Sequence, residues 1–248
     1  MKKLIITVFL LLACAGLAYA QAADFTKANA SYRDGKYDEA IAAYESILKS
    51  GYESGPIYYN LANSYFKKQQ IGKAILNYER AKRLTPRDFD LAANSQFALS
   101  AVVNEVHKPL NFWDKLWQGH LRFYSFNEMV IILSFLLVAL GAAHLVTLYF
   151  NWKAGRLVMS ALAALILIFA YGLNLKISAE HNVAMMIDST AARFEPNDKA
   201  TVYFELPAGQ QVFLGDRESG WVKIERPDGK SGWVGENTLE AIELKQLR

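Results

Sequence analysis

Apolar residues are spread unevenly along this chain. Two runs without a charged residue stand past its middle, at 129–150 and 157–175. At ~1.5 Å per helical residue they reach about 33 Å and 28 Å, which predicts two membrane-crossing helices. Ser125 and Glu128, in the S-x-x-E pattern of a capping box, open the first. A shorter run, Leu4 to Leu12, stands at the start of the chain and is too short to cross a bilayer. From Asn182 the rhythm changes to brief apolar stretches at 184–187, 200–204, 211–214, 221–224 and 232–234. Pro196-Asn197-Asp198, Pro207-Ala208-Gly209, Glu218-Ser219-Gly220 and Pro227-Asp228-Gly229 punctuate them with turn signals. Short strands at this spacing predict a small all-β barrel over 182–244.

The flanks of the runs add topology. Met1-Lys2-Lys3 before the first run and Ala18-Tyr19-Ala20 after it read as a secretory signal peptide over 1–20, so the chain beyond Gln21 is exported. Leu11-Leu12-Ala13-Cys14 supports a second reading, a lipobox in which Cys14 carries the lipid. The connection 151–156 holds Lys153 and Arg156 and no anion, which puts this turn in the cytoplasm and both soluble parts on the other side. Phe112, Trp113, Leu116 and Trp117 lie at helical spacing in the linker 109–124, either as an interfacial helix on the bilayer or as a strip packed on the preceding domain. His144 interrupts the first span; a hydrogen bond to Ser160 at similar depth would satisfy it without a proton pathway. Ala139 and Ala143, with Ser160 and Ala164, offer small faces for close packing of the two helices.

Ahead of the hairpin the chain repeats itself. Asn29, Gly35, Tyr37, Ala40, Tyr44 and Leu48 map onto Asn63, Gln69, Ile71, Ala74, Tyr78 and Lys82 at one constant offset. The second copy runs from Tyr58-Tyr59-Asn60-Leu61-Ala62-Asn63-Ser64-Tyr65 through Ala74, Tyr78 and Ala81 to Pro86, and it resembles a tetratricopeptide repeat. Small residues at Ala40, Ala62, Ala74 and Ala81 let paired helices approach, Tyr44, Tyr65 and Tyr78 fill the gap between hairpins, and Pro86 stops the last helix. The expected domain covers 21–108, with repeats at about 21–54 and 55–88 and a capping helix at 89–106.

The resemblance implies that the first helix of each hairpin lines a groove for extended peptides. Its residues would be Phe25, Asn29, Tyr32 and Arg33, then Tyr59, Asn60, Asn63, Phe66 and Lys67. Asn29 and Asn63 suit two roles equally: bonding a peptide backbone, or satisfying the scaffold. On the first, truncating Asn63 and Lys67 together should cost the fold less than about 1 kcal/mol. Phe25 and Asp90 stand where the carboxylate-gripping subfamily needs lysine.

In the β module, Leu206-Pro207-Ala208-Gly209 with Val212, Gly220-Trp221-Val222-Lys223-Ile224 and Asp228-Gly229-Lys230-Ser231-Gly232-Trp233-Val234 resemble a bacterial SH3-like domain. Glu195 replaces the glycine that usually precedes the proline in its Arg193-to-Pro196 loop. Tyr203, Trp221 and Trp233, with Phe213, either present an aromatic surface for peptides or cell-wall stems, or, for the tryptophans, wedge the barrel core. The expected fold is therefore multidomain α + β: tetratricopeptide hairpins, a two-helix transmembrane hairpin and a C-terminal all-β SH3-like barrel.

Charge narrows little, since 27 Lys+Arg against 24 Asp+Glu leaves +3, and a nucleic-acid binder built on a basic face is not expected. Cys14 is the one cysteine. The nucleotide, zinc-protease, hydrolase-elbow and calcium-loop motifs are missing from the sequence, and His107, His120, His144 and His181 are scattered between segments. No catalytic residue, cofactor or metal is expected, and the protein is read as a non-enzyme. The order of its modules resembles the E-type tetratricopeptide membrane protein of the aerotolerance (Bat) operon. That resemblance implies partners, namely membrane-anchored von Willebrand A-domain proteins and a MoxR-type ATPase, and a role as a scaffold in an envelope assembly or stress complex. The alternative is an anchor whose SH3-like tail holds peptidoglycan.

Overall fold

The computed structural model describes residues 23–102, 112, 115, 119, 123–150 and 153–244. The segment expected to be a signal peptide, with Cys14, and most of the aromatic linker lie outside these residues. Five helices open the described chain: α1 (23–33), α2 (Tyr37–Lys49), α3 (Gly55–Lys67), α4 (Ile71–Leu84) and α5 (Phe89–Ser100). Gly35 turns the first hairpin at φ +76°, and Gln69, its counterpart one repeat on, accepts a left-handed φ of 60° to turn the second. Pro86 disfavours helix at Thr85, whose φ of −130° ends α4, and Asp88 then caps α5 by accepting from Leu91 N at 3.0 Å.

Close approach of these helices follows from their small residues. Ala40, Ala62, Ala74 and Ala81 are fully buried, and Tyr44, Tyr58, Tyr65 and Tyr78 fill the space between hairpins. Leu91, Ser95 and Ala98 of α5 are buried at the positions one repeat interval after Ile57, Leu61 and Ser64. The last helix thus occupies the place of the first helix of a third hairpin.

Two long helices follow, α6 (Phe126–Phe150) and α7 (Gly155–Glu180). Their mean hydropathies of 2.6 and 2.1 and their lengths of 25 and 26 residues suffice to cross a membrane. The capping box forms: Ser125 N donates to Glu128 Oε2 at 2.8 Å, and Glu128 N donates to Ser125 Oγ at 3.3 Å. The helix contact differs from the expected small-residue face. Ala139, Ser160 and Ala164 are exposed, whereas the covered positions include Leu133, Leu136, Leu140, Ala143 and Thr147 on α6 and Val158, Leu162, Ile166, Phe169 and Gly172 on α7, at spacings of three and four. Leucine-rich stripes of this period let side chains fill a long contact, and small residues enter it at Ala143, at Gly172 and at Gly155, where a Cβ would meet Thr147. Ser160 Oγ donates to Arg156 O at 2.9 Å within its own helix, and both Ser160 and His144 are exposed.

Seven antiparallel strands complete the chain: β1 (Val183–Met186), β2 (Thr190–Arg193), β3 (Val202–Leu206), β4 (Gln211–Glu218), β5 (Trp221–Glu225), β6 (Ser231–Gly235) and β7 (Leu239–Ala241). Their order in the sheet is β3-β2-β6-β5-β4-β1-β7. Ala184, Met186, Ala192, Leu206, Val212, Val222, Ile224, Val234 and Leu239 form its core.

Repeats and β module share a second core. Val183, Met185, Ile242 and Leu244 join the buried cluster of the repeat helices, and Gly72 of α4 lies so close to β1 that a Cβ there would fall 2.7 Å from Met186 O. Three arginines, two in the last turns of α4 and one just beyond it, tie the segments together. Arg80 pairs with Glu240 and donates to Ala241 O, both at 2.7 Å. Arg83 donates to Ile242 O and lies 3.8 Å from Glu180 at the end of α7, while Arg87 grips Glu128 and the Phe123 carbonyl where α6 begins.

Candidate functional site

The sequence-predicted groove residues lie together on α1 and α3. Tyr44 OH donates to Asn29 Oδ1 at 2.6 Å, and Asn60 Nδ2 donates to the same oxygen at 2.8 Å. The pattern recurs one repeat later. Tyr78 OH donates to Asn63 Oδ1 at 2.6 Å, and Asn94 Nδ2 reaches that oxygen at 3.5 Å and Tyr59 OH at 2.6 Å. These bonds form a polar ladder across α1, α3 and α5, and Asn29 and Asn63 are half-buried scaffold members whose oxygens are already occupied. Their remaining chemistry toward the open side is the amide N–H, a donor.

Around the ladder stand rings and cations. Phe25 packs on Tyr44 with centroids 6.1 Å apart, Tyr32 on Tyr37 at 5.6 Å, Tyr59 on Tyr78 at 6.1 Å, and Phe66 on Phe97 at 5.6 Å. Arg33 and Lys67 are exposed on the same helices. Burial pushes the Tyr44 phenol up to about 12 and that of Tyr78 up as well, so both remain hydrogen-bond donors over the physiological range. Donors, cations and aromatic faces together suit an extended segment that offers carbonyls and acidic or apolar side chains.

Asn94 and Phe97 escaped the sequence reading. Each carries a detectable mark: Asn94 stands one repeat interval after Asn60, and Phe97 stands the same interval after Asn63.

The β module presents a different surface. Trp221 and Trp233 alternate with the buried Val222, Ile224, Gly232 and Val234, so both indoles stand outside the barrel core, half-covered on its outer face. This corrects the expectation that they wedge the core; in strands this short, smaller Val and Ile side chains fill the interior. Tyr203 is exposed and stacks on Phe194, centroids 4.5 Å apart and rings 31° from parallel. Arg226 lies over Phe204 at 4.9 Å and pairs with Asp228, whose carboxyl it holds down at about 2. Phe194 belongs to the loop that departs from the SH3 pattern, and nothing in its sequence context marks it as a partner of Tyr203.

A tetratricopeptide repeat model matches residues 55–88, which span α3 and α4, and a bacterial SH3 domain model matches residues 188–240. The chain carries a tetratricopeptide repeat and a C-terminal bacterial SH3 domain. Curated proteins give no match to it. Both modules belong to classes that typically bind rather than catalyse: tetratricopeptide repeats suggest a scaffold for protein contacts, and bacterial SH3 domains suggest binding to peptidoglycan.

Proposed function

We propose that this protein is a two-pass scaffold of a bacterial cytoplasmic membrane, with its repeat and SH3 modules on the periplasmic side, and that the repeat groove grips an extended segment of a protein partner. One observation carries the reading. The α4 side of the repeats is covered by the β module, whereas the face of α1, α3 and α5, with its asparagine ladder, Lys67 and Phe97, is open among the described residues. Lys153 and Arg156 in the turn between α6 and α7 support the orientation. The order of modules supports a role like that of the E-type Bat protein, with von Willebrand A-domain proteins and a MoxR-type ATPase as candidate partners in envelope assembly or aerotolerance. Reversing charge on the groove, Arg33→Glu with Lys67→Glu, tests it: co-purified partners should be lost from a protein that stays folded and in the membrane.

The stacked Phe194–Tyr203 pair favours a second reading, an anchor on peptidoglycan. Phe194→Ala with Tyr203→Ala should then abolish sedimentation with purified wall sacculi, an outcome the scaffold reading does not require.

A further inference from the structure

Phe89, the first residue of α5, is 87% exposed, the most uncovered large apolar side chain among the described residues outside α6 and α7. Two residues earlier, Arg87 holds the start of α6. Its guanidinium donates to Phe123 O at 2.9 Å and to Glu128 Oε2 at 3.2 Å, and it lies 5.1 Å over the Phe123 ring. Phe123 is itself 52% exposed. Helical side chains lean toward the N-terminus of their own helix. Phe89 therefore leans toward the end of α5 that Arg87 ties to α6.

The depth of this junction follows from the rings beside it. Phe123 packs edge-on to Tyr124 with centroids 5.0 Å apart, and Tyr124 packs on Phe169 of α7 at 6.3 Å. With 26 residues at ~1.5 Å each, α7 exceeds a hydrocarbon layer of ~30 Å by only about six residues. Phe169 stands further than that from the end of α7 at Glu180, so Tyr124 lies beside the spans and not beyond them. Aromatic rings with a partly exposed arginine and glutamate among them, at the ends of two apolar helices, have the composition of an interfacial belt. Phe89 adds to that belt a ring that belongs to the repeat module.

We propose that Phe89 and Phe123 insert into the lipid surface around the start of α6 and hold the repeat module down on the bilayer. The inference rests on the reading of α6 and α7 as membrane spans. Insertion is apolar in character: Asp88 caps α5 and Asp90 is exposed, so the flanks of Phe89 give no attraction to anionic lipid. Phe97 of the groove stands eight residues further along α5, no more than about 12 Å of helix axis from Phe89, so docking holds the groove close to the lipid surface.

Photolabelling of the full chain in phosphatidylcholine vesicles tests it, with a phosphatidylcholine that carries a diazirine in its acyl chain as the probe and mass spectrometry of the peptides as the readout. The first turn of α5 should be labelled along with α6 and α7, while the turn at 216–220 in the SH3 domain should not. Burying one phenylalanine in lipid favours the docked state by about tenfold or more, so Phe89→Ser should cut labelling of that first turn by about tenfold and leave α6 and α7 labelled as before. Raising the salt from about 0.1 to 1 M should change nothing, since exposed charges do not drive the contact. Labelled spans with an unlabelled α5, labelling of α5 that survives Phe89→Ser, or labelling of α5 that salt removes would each overturn the docking while sparing the membrane reading. Unlabelled α6 and α7 would overturn both.

Discussion

Tyr78 donates its hydroxyl hydrogen to Asn63 Oδ1 at 2.6 Å, and the hydroxyl belongs to a side chain that is 2% exposed. The same bond joins Tyr44 to Asn29 one repeat earlier. Asn63→Ala therefore strips a buried phenol of its acceptor and should destabilise the repeat module by ~1–3 kcal/mol, not the smaller loss expected of an exposed groove residue. Tyr78→Phe should cost about 0.5–1.5 kcal/mol, and the double variant less than the sum, because the orphaned group is then gone. Denaturant titrations of the three variants check this; strict additivity would mean that the bond contributes nothing. Partner loss in an Asn63 variant is thus ambiguous, which is why Arg33 and Lys67, both exposed, are the better probes of the groove.

Gly72 marks the closest approach of α4 to the β module. Gly72→Ala places a Cβ against the backbone oxygens of Met186 and Ile187, and neither can move aside as a flexible side chain would. The expected cost is ~1–3 kcal/mol. Ala74→Leu, on the same helix at a fully buried position, should cost a similar amount by forcing the repeat helices apart. Thermal melts of the full chain separate the two: Ala74→Leu should lower the repeat transition alone, while Gly72→Ala should also expose the 183–186 strand to limited proteolysis. An unchanged protease pattern in Gly72→Ala would show that the modules do not depend on this contact.

Four buried tyrosines set an alkaline limit. Burial pushes the Tyr44 phenol up to about 12 and raises those of Tyr58, Tyr65 and Tyr78. A phenol whose folded value lies above its unfolded value near 10 contributes stability that is complete below about pH 10 and lost as the pH rises toward the folded value. Helix content should hold to about pH 10 and then fall between about pH 10 and 12, with stability declining by roughly 1.4 kcal/mol per tyrosine per pH unit. Circular dichroism recorded with tyrosinate absorbance checks it: the two should change together, and full ionisation with the helices intact would contradict the account.

Topology has its own test. A cysteine replacing Lys153 should be shielded from a membrane-impermeant thiol reagent in intact cells, whereas cysteines at Ser50 and Asp228 should be labelled once the outer barrier is opened. Labelling at Lys153 under the same conditions would reverse the orientation drawn from its charge.

The helical hairpins were legible because their packing rests on local rules: Ala40 and Ala74, Tyr44 and Tyr78 recur at one interval and are buried as that interval requires. Strands β2 and β7 were not. Thr190-Ala191-Ala192-Arg193 has little apolar contrast and β7 is three residues long, so both are fixed by their partners in the sheet rather than by propensity. The tryptophans misled because size suggests burial, while the alternation of Trp221 with Val222 and of Trp233 with Val234 points them outward. Nothing local announced the junction: Arg80 meets Glu240 across 160 residues of chain, and a cation in the last turns of a helix has an ordinary reading as a partner of the helix dipole. In the groove, repetition located Asn29 and Asn63, but only the bonds from Tyr44 and Tyr78 reveal which of their atoms are already used.

Site-directed photocrosslinking tests the central claim most directly. A photoreactive amino acid is placed at Lys67 on the open groove, and separately at Tyr203 on the exposed ring pair of the SH3 domain, in the full-length protein in growing cells. The scaffold account predicts a discrete protein adduct from Lys67 that disappears when Arg33 is also changed to Glu. Adducts from Tyr203 to cell-wall material, with none to any protein from Lys67, would contradict it and make the SH3 domain the working surface.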